Sequence, residues 1–288
     1  MNFYNKLVLI TGGSKGIGLA TAREFVAEGA DVYILARHKE QLTQAIREFE
    51  ELRVDADQKF GWIKADVTLP TEIEKIATKF IKEIGIPDYL VNCAGVAHPG
   101  KFEELDLSIF YWMMDVNYYG TVIMTKAFAP AMIQRGSGHI INVSSMGGVV
   151  GIYGYTAYSG SKFALVGFTD ALRSELKLHG IKVSLVFPPD TDTDQLAYED
   201  QYKPFITREV GSNTNLMKPE IVAHTILNGI KKNHYVILSN FDSLFFYKLQ
   251  NLLGRGTPHL LDYMIRQAIK KQKKQERRDD KKKEEGIK

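Results

Sequence analysis

Three side chains with complementary chemistry occur in one stretch of the chain: Ser145, Tyr158 and Lys162. Tyr158 and Lys162 are four positions apart, so on a helix both project from one face. A phenol has a pKa of about 10 and is a poor base at neutral pH. An adjacent ammonium favours the phenolate, so we expect Lys162 to lower the pKa of Tyr158. The phenol could then exchange a proton with a carbonyl oxygen that Ser145 holds by a hydrogen bond.

A glycine-rich segment follows the first apolar run of the chain, with glycines at Gly12, Gly16 and Gly18. Such glycines let the backbone turn sharply and approach a pyrophosphate, whose charge suits the N-terminus of the next helix. A strand before the glycines and a helix after them is the context that this loop requires. We therefore expect a dinucleotide cofactor, whose oxidised nicotinamide would add a second positive charge near Tyr158.

The end of the second apolar run predicts which dinucleotide binds. Ala36 ends that run, Arg37 follows it, and Lys15 lies in the glycine loop. A carboxylate at the end of this strand would bind the ribose 2′-hydroxyl of NAD, whereas cations suit the 2′-phosphate of NADP. Two cations and no acid therefore predict NADPH as the cofactor, and we expect no metal site.

Short apolar runs rich in β-branched residues alternate with segments of helical periodicity. Nearly continuous apolarity is typical of strands buried on both faces of a parallel sheet. The alternation predicts an α/β fold, a doubly wound (Rossmann), mostly parallel seven-stranded sheet with helices on both faces. We expect this domain to span residues 1–240, with an aperiodic polar and aromatic segment at about 194–217 acting as a lid. The predicted strands are Leu7–Thr11, Val32–Ala36, Phe60–Lys64, Tyr89–Asn92, His139–Val143, Lys182–Phe187 and Val236–Leu238.

The glycine loop, Asn92-Cys93-Ala94-Gly95, Asn117, Ser145, Tyr158 and Lys162 appear in an order and spacing that resembles the short-chain dehydrogenase/reductase family, over about residues 5–240. The resemblance implies a catalytic tetrad of Asn117, Ser145, Tyr158 and Lys162, in which the asparagine orders a water next to the lysine. With the charge argument above, the expected cofactor-binding residues are Gly12, Ser14, Lys15, Gly16, Ile17, Gly18, Arg37, Asp66, Val67, Asn92, Ala94, Gly95, Tyr158, Lys162, Pro188, Thr191 and Thr193. A non-catalytic NADPH sensor is the alternative from another class, and the intact tetrad argues against it.

The string Pro188-Pro189-Asp190-Thr191-Asp192-Thr193 follows the sixth predicted strand and resembles one branch of the family, the 3-ketodihydrosphingosine (3-dehydrosphinganine) reductases. The resemblance implies NADPH-dependent reduction of a sphingoid ketone in sphingolipid synthesis. Such a ketone has an amine beside its carbonyl. Asp190 and Asp192, on a loop that two prolines stiffen, are candidates to bind that amine. The branch's usual Pro-Gly is replaced here by Asp194-Gln195, and other lipophilic ketones, such as 3-ketoacyl chains or steroids, remain alternatives.

Residues 241–272 predict a basic amphipathic helical hairpin, with Gly254 and Gly256 between its two apolar stripes. It could lie in an anionic membrane interface or pack on the body or another subunit. From Lys273 to Lys288 the chain is dense in charge, and we expect disorder. The apolar positions are Phe241, Leu244, Phe245, Leu249, Leu252, Leu253, Leu260, Leu261, Met264, Ile265 and Ala268; the basic ones are Lys248, Arg255, Arg266, Lys270 and Lys271.

The composition excludes some partners. Thirty-seven Lys and Arg face 34 Asp and Glu, and a net charge of +3 does not suggest a nucleic-acid partner. The single cysteine, Cys93, and the lack of a signal peptide lead us to expect a cytoplasmic protein, peripheral on a membrane if the hairpin binds there. By analogy with the family, we expect a homo-oligomer.

Overall fold

Seven parallel strands form one sheet in the computed structural model, in the order β3-β2-β1-β4-β5-β6-β7. The structure describes residues 3–211 and 216–286, without the side chains of 255, 258, 260, 261 and 275–286. The strands are β1 (Leu7–Thr11), β2 (Asp31–Ala36), β3 (Phe60–Lys64), β4 (Tyr89–Asn92), β5 (Gly138–Val143), β6 (Ile181–Phe187) and β7 (Val236–Leu238). The predicted strands and their parallel arrangement are confirmed.

The strand order explains where a ligand can bind. From β1 the chain moves outward to β2 and β3, and then returns to place β4 on the other side of β1. Connections that leave neighbouring strands in opposite directions open a crevice at the carboxyl ends of those strands. The residues that follow β1 and β4 therefore meet at this crevice.

Helices cover both faces of the sheet, as the sequence predicts. One apolar core lies under α1 (Gly16–Ala27), α2 (Lys39–Leu52) and α9 (Pro219–Lys231). The other lies under α3 (Pro70–Glu83), α5 (Gly120–Arg135) and α6 (Thr156–Lys177), with α4 (Leu107–Met114) packed on α6. Fully buried Val, Ile, Leu and Phe side chains dominate both cores, so the strands are buried on both faces.

The segment at 194–217 is more regular than the sequence predicts. It contains two helices, α7 (Asp194–Tyr202) and α8 (Phe205–Gly211), while residues 212–215 lie outside the described part. Thr193 caps α7, because its Oγ1 accepts a hydrogen bond from the Leu196 N–H at 3.3 Å. Pro204 separates the two helices, since its ring is disfavoured inside a helix. The expected aperiodic segment is thus a pair of short helices beside the crevice.

Two helices form the C-terminal extension, α10 (Phe241–Leu253) and α11 (Thr257–Gly286). Helix α11 packs against α8 and buries Ala268, whereas Phe241 and Leu252 stay 78% and 82% exposed. The side chains of residues 255, 260 and 261, which the sequence assigns to the hairpin, lie outside the described residues.

The helix α11 also continues to Gly286 through the segment for which the sequence predicts disorder. The lysine, glutamate, glutamine and arginine residues that fill this segment have high intrinsic helix propensity. Across the described ranges, no helix is both long enough and apolar enough to span a membrane.

Candidate active site

The glycine loop has the geometry of a phosphate cradle. Gly12 and Gly16 have φ angles of +68° and +52°, which favour glycine. A Cβ on Gly12 would lie 2.9 Å from the Ala94 backbone, and one on Gly18 would lie 2.3 Å from the Gly12 carbonyl oxygen. Helix α1 begins at Gly16 without an acidic residue in its first turn. Its free N–H groups and positive dipole end therefore suit an anion.

Hydrogen bonds hold the ends of β1 and β4 together beneath this loop. The Oγ1 of Thr11 accepts from the N–H groups of Cys93 and Ala94, both at 3.1 Å. Burial raises the pKa of Cys93 to about 11, so it is a neutral thiol near pH 7. Asn92 donates from Nδ2 to Oδ1 of Asn142 at 2.9 Å. Asn92 therefore connects two strands within the sheet. The sequence predicts that it binds the cofactor, but it is not among the residues that line the crevice.

The two cations expected at the cofactor's 2′-phosphate differ in their surroundings. Arg37 is exposed and lines the crevice beyond β2, with Ala36 beside it. Lys15 lines it too, but its Nζ bonds Oδ2 of Asp194, the first residue of α7, at 2.6 Å. Both partners are largely exposed, so the ion pair contributes little stability and can exchange. The sequence does not predict this pairing, because the two residues are 179 positions apart.

Asp66 and Val67 are adjacent in the chain and are both expected to bind the cofactor, but only Val67 lines the crevice. The Asp66 carboxylate turns back on its own chain, where Oδ1 accepts from the N–H and the hydroxyl of Thr68 at 3.0 and 2.8 Å. The aspartate thus stabilises the turn after β3, because an Asx side chain often accepts from the backbone two residues on. It is a second predicted residue that the structure does not place in the crevice wall.

Three of the predicted catalytic side chains come together in the wall of the crevice. Ser145 follows β5, where its Oγ accepts from the Gly147 N–H at 3.1 Å. Helix α6 supplies Tyr158 and Lys162 from one face, with the lysine Nζ 5.7 Å from the centre of the tyrosine ring. Lys162 is only 4% exposed and donates from Nζ to the Val143 carbonyl at 3.1 Å. The strand end and the helix therefore fix all three side chains.

Asn117 lies behind these residues, fully buried, in a π-helical turn (Asp115–Tyr119) between α4 and α5. Its Oδ1 accepts from the Val96 N–H at 2.8 Å, and its Nδ2 donates to Ser161 Oγ at 2.9 Å. A Cβ on Gly95 would lie 3.3 Å from Asn117 Oδ1 and 3.4 Å from Lys162 Nζ, which places the two side chains next to each other. π-Helical turns often occur at functional sites.

The pKa of Tyr158 is raised, opposite to the expected direction. Burial disfavours the phenolate most, and the negative charge of Glu199 adds to this effect. A hydrogen bond with Ser145 acts in the lowering direction but does not dominate. Burial lowers the pKa of Lys162 to about 8. Near pH 7 the site therefore holds a protonated phenol beside an ammonium, which suits proton donation.

These groups line one cavity of about 1240 Å³. Part of its wall is the glycine loop, Arg37, Ser145, Tyr158 and Lys162. Another part comes from the β5–α6 loop, α7, α8, α10, α11 and the residues beside them, and it contains both apolar and polar side chains. Its apolar members are Val150, Ile152, Leu196, Val210, Leu216, Phe246, Met264 and Ile265. Single ligand pockets measure roughly 300–1,000 Å³, so the cavity has room for a cofactor and a lipophilic substrate.

Most of the predicted cofactor residues line this cavity. They are Gly12, Ser14, Lys15, Gly16, Ile17, Gly18, Arg37, Val67, Ala94, Gly95, Tyr158, Lys162, Pro188, Thr191 and Thr193. They fit a nicotinamide dinucleotide, because the glycine cradle accepts a pyrophosphate and Gly95 leaves room beside the lysine.

The two candidate substrate acids are not equivalent. Asp190 is exposed and lines the cavity, whereas Asp192 is exposed outside its lining. Sequence reasoning also missed an acid in the cavity wall, Glu199 of α7, which is 7% exposed. Its spacing from Leu196 is the signal that could have found it, because residues three apart share a helix face.

Comparisons with known proteins agree with this geometry. The family model described as short chain dehydrogenase matches residues 6–203. A 3-ketodihydrosphingosine reductase of Bos taurus is 39% identical over 229 residues, which cover 79% of this chain and 69% of the relative. A 3-dehydrosphinganine reductase of Danio rerio is 39% identical over 239 residues, covering 83% and 70%.

A solved structure is also similar. The short-chain dehydrogenase from Streptomyces avermitilis aligns with a TM-score of 0.76 and 28% identity, over 91% of this chain and 97% of that one. The family match covers more than half of the chain and includes the glycine loop and the tetrad. The protein therefore belongs to the short-chain dehydrogenase/reductase family and is an oxidoreductase that uses a nicotinamide cofactor.

Proposed function

We propose that this protein uses NADPH to reduce the ketone of 3-ketodihydrosphingosine to dihydrosphingosine, a step of sphingolipid synthesis. The observation that carries the proposal is the cavity, whose wall contains both a protonated Tyr158 and a group of apolar side chains. A ketone with a long alkyl chain needs both features. Relatives from cattle and zebrafish named for this reaction support the choice of ketone.

The bound cofactor would supply a hydride to the carbonyl carbon. Ser145 and Tyr158 would hold the carbonyl oxygen, and Tyr158 would donate its phenolic proton to that oxygen as negative charge develops. The raised pKa of Tyr158 keeps the proton on the phenol until then. The Lys162 ammonium stabilises the phenolate that remains, and buried Asn117 holds the backbone at Val96 beside it.

Arg37 supports the choice of NADPH over NADH. It is exposed at the crevice, follows Ala36, and forms none of the ion pairs found among the described residues. Its guanidinium can bind a phosphate with two parallel hydrogen bonds. Lys15 becomes a second phosphate ligand only when it leaves Asp194. Arg37 is therefore the primary determinant and Lys15 an auxiliary one.

The C-terminal hairpin supports a lipid substrate in two ways. Its inner residues Phe246, Met264 and Ile265 line the cavity. Its outer residues Phe241 and Leu252 are exposed. An exposed apolar edge beside basic side chains can insert shallowly into an anionic membrane interface, where a long-chain ketone is dissolved. The hairpin would thus contact both the substrate and the membrane from which the substrate comes.

The direct test is NADPH consumption by the purified full chain. 3-Ketodihydrosphingosine, a long-chain 3-ketoacyl thioester and a steroid ketone are supplied separately in the same detergent, with NADPH and then NADH. We expect the highest kcat/KM for the sphingoid ketone with NADPH. Faster turnover of either other ketone would assign the protein to that substrate class, and no turnover of any ketone would favour the non-catalytic NADPH sensor.

A further inference from the structure

Glu199 is a buried carboxylate in the wall of the cavity. It is 7% exposed, on helix α7. Its Oε2 accepts from the Tyr155 hydroxyl at 2.6 Å, and its Oε1 accepts from Nε2 of Gln195 at 2.9 Å. Both partners are neutral. Among the described side chains no cation lies within ion-pair distance of it. The charges of Lys203 and Lys162 act on it only from farther away, and Lys203 bonds Asp200 at 2.6 Å.

A buried carboxylate that has only neutral partners is costly, because hydrogen bonds replace only part of its lost hydration. Burial raises the pKa of Glu199 accordingly. Such a cost is often found where a ligand later supplies the missing charge, and perturbed acids cluster at functional sites for this reason. Among the described side chains no cation contacts this carboxylate directly, so the geometry favours a ligand with a cationic group.

The carboxylate lies near the reacting centre. The ring of Tyr155, which bonds Glu199, packs with its centre 5.7 Å from that of the Tyr158 ring. The negative charge of Glu199 also acts directly on the Tyr158 phenol. A ketone held by Tyr158 would therefore lie near this carboxylate.

We propose that Glu199 binds the ammonium group on the carbon next to the substrate's carbonyl and so selects amino ketones over neutral ketones. This inference rests on the proposed function and assigns its specificity to one side chain. The exposed Asp190 also lines the cavity, but it faces solvent, where a charge is screened. A buried carboxylate forms the stronger charge-assisted contact.

The test compares Glu199→Gln with wild type on two ketones of equal chain length, 3-ketodihydrosphingosine and its analogue without the 2-amino group. Glutamine keeps the size of the side chain, and its amide oxygen can still accept the hydrogen bond from Tyr155. Its amide nitrogen can donate to Gln195 once the Gln195 amide has rotated to present its oxygen. The matched control is Glu175→Gln, an exposed carboxylate on α6 outside the cavity lining. Thermal unfolding and NADPH binding check that each variant is folded.

We expect Glu199→Gln to lower kcat/KM for the amino ketone by about ten- to a hundredfold, the loss of a hydrogen bond to a charged group. Reduction of the neutral analogue should fall far less, because only the effect of Glu199 on the pKa of Tyr158 acts on it, and Glu175→Gln should change neither. Equal losses on both ketones would overturn the inference and leave Glu199 a support for Tyr155. If wild type reduces only the neutral analogue, the proposed function fails as well, so the two failures are distinguishable.

A second measurement covers the case of a poorly folded variant. Hexadecylamine and hexadecanol are tested as inhibitors of wild-type reduction of the neutral analogue. The amine should inhibit at least tenfold more strongly than the alcohol, because only the amine places a cation near Glu199. Equal inhibition by the two compounds would contradict an ammonium site in this cavity.

Discussion

Replacing Tyr158 by phenylalanine should stop the reduction while leaving cofactor binding intact. The change removes one hydroxyl group and keeps the ring. The centre of this ring lies 5.7 Å from the centre of the Tyr155 ring and also 5.7 Å from the Nζ of Lys162. A positioned proton donor is worth roughly 10²–10⁴-fold in rate. That factor equals about 2.7–5.4 kcal/mol of activation free energy. Ser145 remains to hold the carbonyl oxygen, so the loss should appear in kcat rather than KM.

The assay measures NADPH oxidation under saturating ketone, together with NADPH binding followed by its fluorescence. Ser145→Ala serves as a second variant that weakens the hold on the carbonyl oxygen but leaves the proton donor. We expect at least a hundredfold lower kcat for Tyr158→Phe, with the NADPH Kd unchanged. A Tyr158→Phe enzyme that retains more than about a hundredth of wild-type kcat would refute the acid role of the phenol.

Three further predictions concern the cofactor, the hairpin and acid stability. Asp194→Asn should release Lys15 and tighten NADPH binding by up to about fivefold, the value of an exposed ion pair, as measured by NADPH titration. Leu252→Ser should weaken binding to anionic vesicles at least tenfold, because inserting one exposed leucine side chain into the membrane interface contributes roughly 1.5–3 kcal/mol; Leu178→Ser, equally exposed on the body, is the control. Burial and the charge of Lys182 lower the pKa of His139 to about 4, so native His139 binds no proton between pH 6.5 and 4 while the unfolded chain does. The free energy of unfolding should therefore fall by about 3 kcal/mol as pH drops through this window, and less in His139→Gln.

Each of these three has a clear contrary result. NADH binding that tightens as much as NADPH binding in Asp194→Asn would show that Lys15 does not contact the 2′-phosphate. Vesicle co-sedimentation that is absent in wild type, or lost equally in Leu252→Ser and Leu178→Ser, would favour a hairpin that only packs on the protein. An equal acid-induced loss of stability in wild type and His139→Gln would assign that loss to other groups.

Much of the fold could be predicted from the sequence because its signals are local. A parallel strand buried on both faces is a short apolar run, and the runs alternate with helical spacing along the chain. The tetrad was likewise readable, since the Tyr158–Lys162 spacing fits one helix face. The helices α7 and α8 were missed because their side chains show no clear apolar stripe, and Thr193 rather than a stripe determines where α7 begins.

What could not be predicted depends on contacts between distant residues. The expected lowering of the Tyr158 pKa considered only the positive charges of Lys162 and the oxidised nicotinamide. Burial of the site and the charge of Glu199 reverse the direction. Glu199 meets Tyr155 across a separation of 44 residues. Asn92 and Asp66 were placed in the crevice by resemblance, yet hydrogen bonds with Asn142 and Thr68 engage their side chains elsewhere.

The most direct test of the central claim is a competition among ketones in one vessel. Equal concentrations of 3-ketodihydrosphingosine, a long-chain 3-ketoacyl thioester and a steroid ketone are incubated with the full chain and limiting NADPH, and the alcohols formed are quantified by mass spectrometry. The product ratio reports the ratio of kcat/KM values. We predict that dihydrosphingosine is the dominant product and that its share falls when Glu199→Gln replaces wild type. A dominant hydroxyacyl or steroid alcohol would contradict the assignment of this enzyme to sphingoid ketones.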